Sequence, residues 1–193
     1  MVASAAMRAQ AAADKLRDGE TLLYIFPRNC TEDAMTSPAP LDDLDRTILA
    51  ALQDEGRITN VALAERVGLT APPCLRRMRS LEERGVIRGY HAELDAAALG
   101  YRIMVFAMVS LKSQAESDLQ AFEAHVATLS EVRECHMLNG EIDFILKIVA
   151  HDLESFQAFL TSKLTPAPNV ASVKTSFTIR TSKVAVGIPV DGA

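Results

Sequence analysis

The sequence has 193 residues, 49% of them hydrophobic, and its 20 Lys and Arg against 25 Asp and Glu give a formal net charge of −5. This length suits one large domain or two small ones, and the apolar content excludes a wholly disordered chain. The negative balance excludes a uniformly basic nucleic-acid binder, so any basic surface must be local. The apolar runs are strand-sized, too short to cross a bilayer.

The cysteines and the first residues bear on the compartment. Cys30, Cys74 and Cys135 are far apart and odd in number, so they allow no paired disulfide framework and no CxxC metal spacing. The Ala-rich start lacks the apolar core of a signal peptide. We therefore expect a reduced, cytoplasmic protein with neither a metal nor a cofactor.

Residues 1–40 differ in composition from the rest of the chain. An Ala-rich run is followed by a short apolar patch at 22–27 and by a stretch rich in polar residues and prolines. We interpret this segment as a flexible, poorly anchored extension. Met35 opens a short leader directly before the first strong helical pattern, and we hypothesise that it is an alternative start of translation.

Two short helices are predicted directly after this extension. The first takes Asp42 or Asp43 as its N-cap and ends at Gly56. Its apolar residues are spaced to line one face: Leu44, Ile48, Leu49 and Leu52. The second helix spans about 60–67 and ends at Gly68, which can adopt the left-handed conformation that closes a helix.

A third helix is predicted to start after Thr70 as its N-cap. Pro72 and Pro73 fall in its first turn, where a missing amide hydrogen removes no intrahelical bond. The helix runs to about Arg84. The strand-like residues 86–94 that follow form either a wing or a link to the next domain.

The residues from 101 to about 181 alternate strand and helix patterns. Strands are predicted at 103–111, at 132–138, from Ile142 onward, and through the alternating Val173, Thr175, Phe177 and Ile179. Helices are predicted at 118–129, burying Leu119, Phe122 and Val126, and from Asp152, burying Leu153, Phe156, Leu160 and Leu164. Asn139-Gly140 is a hairpin signal. The order β-α-β-β-α-β predicts an α+β fold with a ferredoxin-like sandwich, whose helices leave one sheet face in need of a partner.

The third helix carries a local basic surface, since four arginines oppose two glutamates between residues 70 and 84. The second helix of a helix-turn-helix lies in the DNA major groove, and the arginine fork suits both guanine edges and phosphates. The alternative is a merely solvated face. We predict DNA contacts by Thr70, by Arg76 and Arg77 to bases, and by Arg79, Arg84 and Arg88 to phosphates.

Several ordered blocks of the sequence resemble the Lrp/AsnC (leucine-responsive regulator/asparagine regulator) family. They are Leu44–Leu49, Asp54–Asn60, Arg66–Thr70, Cys74–Arg77 and Leu81–Ile87. The likeness extends over about 41–183. It implies a transcription regulator with a winged helix-turn-helix reader, amino acids as effectors, and a ferredoxin-like domain that dimerises through its sheet and builds octamers.

The resemblance also implies a division of the chain. We expect a flexible extension at 1–40, a winged helix-turn-helix domain at 41–100 with its helix-turn-helix at about 60–79, a ferredoxin-like effector-binding and oligomerisation domain at 101–183, and a tail at 184–193.

By the same resemblance, the hairpin around residues 134–143 lies between dimers and lines the effector pocket. Gly140 would let the backbone approach a small ligand, and Asp143 could receive an α-ammonium group. Without the family, Asn139-Gly140 is simply a turn and Asp143 a solvated residue. The implied effector-binding residues are Met137, Asn139, Gly140, Glu141, Asp143, Leu153 and Ser176.

Two alternative functions stay open at this point. One is an enzyme on the same two-domain architecture, similar to tetrapyrrole decarboxylases, but the sequence carries no catalytic signature. Cys135 and His136 are neighbours on a strand and so point to opposite faces. The other is a nucleoid-type architectural protein that bends DNA. We expect a non-enzyme, associated with the nucleoid, whose partners are double-stranded DNA, an amino acid and further copies of itself, with no membrane.

Overall fold

The computed structural model describes residues 40–185 and 187–190. The predicted extension up to residue 39, including Met35, lies outside these residues, as do Val186 and the last three residues of the predicted tail. The helices are α1 (Asp43–Asp54), α2 (Asn60–Arg66), α3 (Ala71–Glu83), α4 (Glu116–Ala127) and α5 (Leu153–Phe159). The strands are β1 (Ile103–Leu111), β2 (Val132–Met137), β3 (Phe144–Ala150) and β4 (Val170–Phe177).

Helices α1, α2 and α3, which we call the helical unit, pack around one apolar core. Asp42 is the N-cap of α1, where its side chain accepts a hydrogen bond from the Asp45 amide at 2.7 Å. The predicted apolar face turns inward, with Ile48 fully buried and Leu49 nearly so. The rest of this core comes from Ala51, Leu63, Ala64, Val67, Cys74 and Leu81.

A tight turn joins α2 to α3. Thr59 caps α2, and Gly68 adopts a left-handed φ of 72° after its last turn, as predicted. The Leu69 amide then bonds to the Ala64 carbonyl at 2.8 Å, so the chain reverses within a few residues. The helix-turn-helix arrangement is therefore confirmed.

The start of α3 and the segment after it differ from expectation. Thr70 occupies the N-cap position, but its side chain makes no capping hydrogen bond. Residues 86–94 form no strand among the described part of the chain, because no neighbouring segment supplies the ladder of backbone bonds that a strand requires. The prediction of a strand there is wrong for the single chain.

The four strands, which with α4 and α5 make up the sheet unit, form one antiparallel sheet in the order β2-β3-β1-β4. One face packs on the two helices, with Phe122 of α4 and Phe144 of β3 fully buried at its centre and their rings 4.8 Å apart. The other face is open and presents Phe106, 36% exposed. The ferredoxin-like prediction is confirmed.

Three details of the sheet unit correct the sequence analysis. The connection between β2 and β3 spans Leu138 to Asp143 and has no residue with positive φ, so it is not the two-residue turn that Asn139-Gly140 suggested. Leu153 is 59% exposed rather than buried, because it opens α5 at its solvent end. Ile179 is 99% exposed, since β4 has ended two residues before it.

The second helix of the sheet unit changes its winding near its end. It starts at the N-cap Asp152 as predicted, and after Phe159 it continues as a π-helical turn from Leu160 to Leu164. The wider turn still buries Leu164 in the core. Among the described residues, no helix has the length and apolar character needed to cross a membrane.

Candidate functional site

The outward side of α3 carries part of the basic surface that the sequence predicts on this helix. Pro72, Arg76, Arg79 and Glu83 follow one another at helical spacing opposite the buried Cys74 and Leu81, and all four are exposed. We call these four residues the outer face of α3. Arg76 and Arg79 form no hydrogen bond or ion pair with any other described residue, so both guanidinium groups are available to a ligand.

Arg77, the second predicted base-reading residue, is turned away from the outer face and is held by two carboxylates. Its Nη1 donates to Asp42 Oδ2 at 2.7 Å and to Asp45 Oδ1 at 2.8 Å. These bonds raise the pKa of Arg77. The hydrogen bond from the Asp45 amide and, after it, the bond from Arg77 lower the pKa of Asp42. Arg77 therefore fastens α3 to the start of α1.

Arg84 is also drawn toward α1 and is not a purely solvated residue. Its Nη1 lies 4.0 Å from Asp45 Oδ2, and the Asp45 side chain is 10% exposed. Two arginines thus surround one buried carboxylate. The positive charge that the sequence assigned to a single surface is divided, with Arg76 and Arg79 on one side and Arg77 and Arg84 on the other.

The remaining predicted DNA contacts lie at the two ends of α3. Thr70 is exposed before its first turn, and Arg88 is exposed five residues after its end. Asn60 links α2 to this first turn, since its Nδ2 donates to the Ala71 carbonyl at 3.0 Å. Thr70 and Arg88 therefore flank the outer face without belonging to it.

A contact that the sequence analysis missed holds the segment after α3. The Tyr90 hydroxyl donates to Glu82 Oε1 at 3.0 Å. Burial and this carboxylate raise the pKa of Tyr90 to about 12, so the hydroxyl stays a donor even well above physiological pH. Tyr90 thereby fixes the course of the chain on which Arg88 is carried. A tyrosine eight residues after a glutamate has no periodic signature that would have revealed this.

The β2–β3 connection gathers most of the predicted effector residues. Asn139, Gly140 and Glu141 are exposed, and Met137 is 58% exposed at the end of β2. No heavy atom lies within 4 Å of the position that a Cβ on Gly140 would take. This tip is therefore an open surface in the single chain.

Asp143 lies at the base of this connection and is only 8% exposed. Its Oδ2 accepts from the Leu111 amide at 2.7 Å and its Oδ1 from Gln114 Nε2 at 2.6 Å. Asp143 is therefore not the solvated residue that the sequence suggests when the family resemblance is set aside. The carboxylate ties the connection to the end of β1, so its immediate role is to position the loop.

Leu153 and Ser176 lie at a different edge of the sheet from Met137. Ser176 is on β4 and Met137 on β2, which are the two outer strands, so about 14 Å separates them across the sheet alone. Leu153 is on the side of β4, because Phe156 of the same helix packs edge-on against Phe177 at 5.3 Å. The predicted effector residues therefore form two groups by sheet edge in one chain. Within the second group, Ser176 pairs with Phe106 and points to the open face, whereas Leu153 lies on the helix-covered side.

The described residues give no support to a metal or thiol chemistry. No three His, Cys, Asp or Glu side chains among them are grouped to hold a metal ion. Cys135 is half-buried toward the helices while His136 is exposed on the other face, as predicted from strand alternation. Burial, with a smaller effect of Glu123, raises the pKa of Cys135 to about 12, so its thiol is a poor nucleophile.

Two family models match the chain in the order of the two units. A winged helix-turn-helix DNA-binding model matches residues 41–88, and the Lrp/AsnC ligand binding domain matches residues 104–187. The first match contains the outer face of α3, and the second contains both groups of predicted effector residues.

Individual relatives agree with the models. The chain is 55% identical to a leucine-responsive regulatory protein of Rhizobium meliloti over 78% of this chain and 96% of that one. It is 42% identical to a bkd operon transcriptional regulator of Pseudomonas aeruginosa, over 74% of this chain and 93% of that one. A transcriptional regulator of Neisseria meningitidis, solved in complex with L-Met, superimposes with a TM-score of 0.75 and 35% identity, covering 79% of this chain and 98% of that one.

Proposed function

The chain belongs to the Lrp/AsnC family of transcriptional regulators, and we propose that it binds duplex DNA through the outer face of α3. The observation that carries this proposal is the pair Arg76 and Arg79, exposed side by side without any partner among the described residues. Side chains three positions apart on a helix are neighbours, so both can enter one groove.

The chemistry of the two arginines suits two kinds of contact. A guanidinium donates two parallel hydrogen bonds to the O6 and N7 atoms of guanine or to phosphate oxygens. Residues early in a recognition helix meet base edges and later basic residues meet the backbone. We therefore assign Arg76 to a base and Arg79 to a phosphate, with Thr70 and Arg88 as flanking backbone contacts.

The dependence of DNA binding on salt tests this interface. The wild type is expected to retard a duplex from the regulator's own promoter in gels. Its affinity for DNA should fall as the salt concentration rises, because binding releases cations from the DNA and added salt opposes that release. The slope of log affinity against log salt should become shallower by about 1 for each bound subunit in Arg76→Ala/Arg79→Ala, because only Arg79 is assigned to a phosphate. Arg133→Ala, an exposed arginine on β2, is the control. A variant slope equal to that of the wild type would refute the interface.

We further propose that the sheet unit binds an amino acid. The L-Met complex of the Neisseria relative supports this ligand class, and the exposed tip at Asn139–Glu141 offers backbone amides that a carboxylate group could bind. Asp143 holds this tip in place. A direct bond from Asp143 to the ammonium group stays a prediction, and it would use the lone pairs that Leu111 and Gln114 leave free.

The separation of the two groups of effector residues supports a pocket shared between subunits. An amino acid is too small to touch both Met137 and Leu153 in one chain, given the width of the sheet between them. We therefore propose that a subunit of a neighbouring dimer supplies the missing side, in homodimers that build a higher oligomer such as an octamer. Mass measurement of the purified protein at several concentrations checks this assembly.

A thermal-shift screen of the twenty amino acids tests the effector class. A ligand present at a hundred times its dissociation constant stabilises the protein by about 2.7 kcal/mol, and so should raise Tm clearly. Gly140→Trp fills the open space at the tip and should abolish the shift without lowering the basal Tm. If no amino acid shifts the wild type, the ligand class is wrong.

A regulator that binds DNA and an amino acid must be in the same compartment as both. We therefore propose that the protein is cytoplasmic and associated with the nucleoid. We propose no catalytic role. The relatives with which it aligns are named as regulators, and no observation on the described residues favours an enzyme.

A further inference from the structure

The C-terminal segment Gly187–Val190 lies against α1 of the helical unit. The Val190 side chain packs on the apolar core of that unit. Its carbonyl oxygen accepts a hydrogen bond from Arg46 Nη1 at 3.1 Å, across 144 residues of sequence. An apolar contact with the core and a polar contact with α1 therefore anchor the same residue to the helical unit.

Gly187 supplies a second anchor on α1. It has a left-handed φ of 71°, and a Cβ at this position would come within 2.5 Å of the Gln53 side chain. Glycine thus satisfies both the backbone conformation and the close approach. Ile188, between the two anchors, is 73% exposed, so the segment is attached at its ends and faces solvent in between.

This segment starts from the sheet edge that carries Ser176. The last backbone bond of β4 to its neighbour joins the Thr178 amide to the Met104 carbonyl at 2.9 Å. The chain then leaves the sheet and reaches α1 within about ten residues. The helical unit is thus attached to the sheet unit twice, by the covalent connection after α3 and by this C-terminal segment.

We propose that Gly187–Val190 is an intramolecular strap that fixes the orientation of the helical unit relative to the sheet unit of its own chain. A single flexible connection leaves the orientation of two domains free, and a second attachment removes most of that freedom. If the protein binds DNA as proposed, the strap also sets the spacing of two DNA-reading helices. Both helices then meet half-sites that lie one helical turn apart.

Hydrogen exchange of the full chain tests the docking without DNA or effector. Val190→Asp places a charge against an apolar core and should release the strap. Amides of α1 near Arg46 and Gln53 should then exchange about tenfold faster. Ile188→Asp adds the same charge at an exposed position and should leave them unchanged. Equal exchange in wild type and Val190→Asp would overturn the docking, and wild-type protection lost on dilution would show that another subunit donates the segment.

Duplexes with one or two half-sites test the orienting role. The ratio of affinities for two half-sites over one should fall about tenfold in Val190→Asp, because the second contact no longer benefits from a fixed geometry. Ile188→Asp should keep the wild-type ratio. A purely stabilising segment would weaken both duplexes equally, and an unchanged ratio would therefore overturn the proposal. If the wild type binds neither duplex, the proposed function fails, while hydrogen exchange still decides the docking.

Discussion

The two candidate sites of this molecule are completed at different levels of assembly. The outer face of α3 brings Arg76 and Arg79 together within one helix of one chain. The predicted effector residues lie in two groups, with Met137 on one edge of the sheet and Leu153 on the side of the other. One chain therefore carries the whole of the proposed DNA-binding surface but only separate parts of the proposed effector site.

This difference indicates how the regulator can respond to a small molecule. Because the proposed DNA-binding surface is complete within one chain, a ligand does not have to create it. A ligand bound between subunits can instead favour one arrangement of subunits over another by binding that arrangement more tightly. Regulation then acts on the relative placement of several intact DNA-binding helices.

The largest expected effect is on DNA affinity, and it should differ between Arg76 and Arg79 of the outer face. Arg76→Ala should weaken binding to the preferred site by about 1–3 kcal/mol and relax sequence preference at one position, whereas Arg79→Ala should weaken all sequences alike. Affinities measured for a panel of single-base variants of the site check this. Equal profiles for both variants would contradict the division into a base contact and a phosphate contact.

The next effect distinguishes positioning from ligand contact at Asp143. Asp143→Ala leaves the Leu111 amide without its acceptor and should lower the free energy of unfolding by about 2 kcal/mol. Asp143→Asn retains an acceptor and should restore most of that stability. If the carboxylate also binds an ammonium group, the Asn variant should be stable yet fail to bind the amino acid. Calorimetric titration of this variant decides between the two roles.

A smaller effect is expected at Arg77, on the inner side of α3. Arg77→Ala removes the donor to Asp42 and Asp45 and should cost about 1 kcal/mol in the free energy of unfolding. Arg77→Lys should lie between the variant and wild type, because it keeps the charge. DNA affinity of the folded protein should change little. If Arg77→Ala lost sequence-specific binding at unchanged stability, the original prediction of a base contact would be right.

The smallest effect is a dependence of stability on acid. The bonds to Asp42 lower its pKa below the ordinary 3.8, so the charged group stabilises the fold above that pH and stops doing so as pH falls through the lowered pKa. Asp42→Asn keeps an N-cap but no charge. The difference in free energy of unfolding between wild type and variant should therefore shrink below about pH 4. A difference constant from pH 6 to 2 would argue against the charged contact.

Periodicity explains what could be predicted from sequence. The apolar spacing in α1 and the strict alternation of Phe144, Leu146 and Ile148 are local patterns, and the structure turns those residues inward as expected. The end of α2 at Gly68 could also be predicted locally, because glycine readily adopts the left-handed conformation found there. The family resemblance then supplied the effector hairpin, which periodicity alone would have described as a turn.

Contacts between distant residues could not be predicted in this way. The carboxylates that hold Arg77 are more than thirty residues away on another helix, so the wheel of α3 alone could not show which arginines are engaged. The bond from Gln114 to Asp143 and the docking of Val190 on α1 likewise join segments with no common pattern. Charge and spacing define candidates, and packing selects among them.

Mixing of subunits tests most directly whether the effector site is shared. Gly140→Trp blocks the hairpin tip and Leu153→Arg blocks the other group, and each variant alone should bind no amino acid. After the two are unfolded and refolded together, random pairing in a head-to-tail interface should restore about one quarter of the sites, which calorimetric titration would count. No recovery in mixed assemblies would contradict the account and place the site within a single chain.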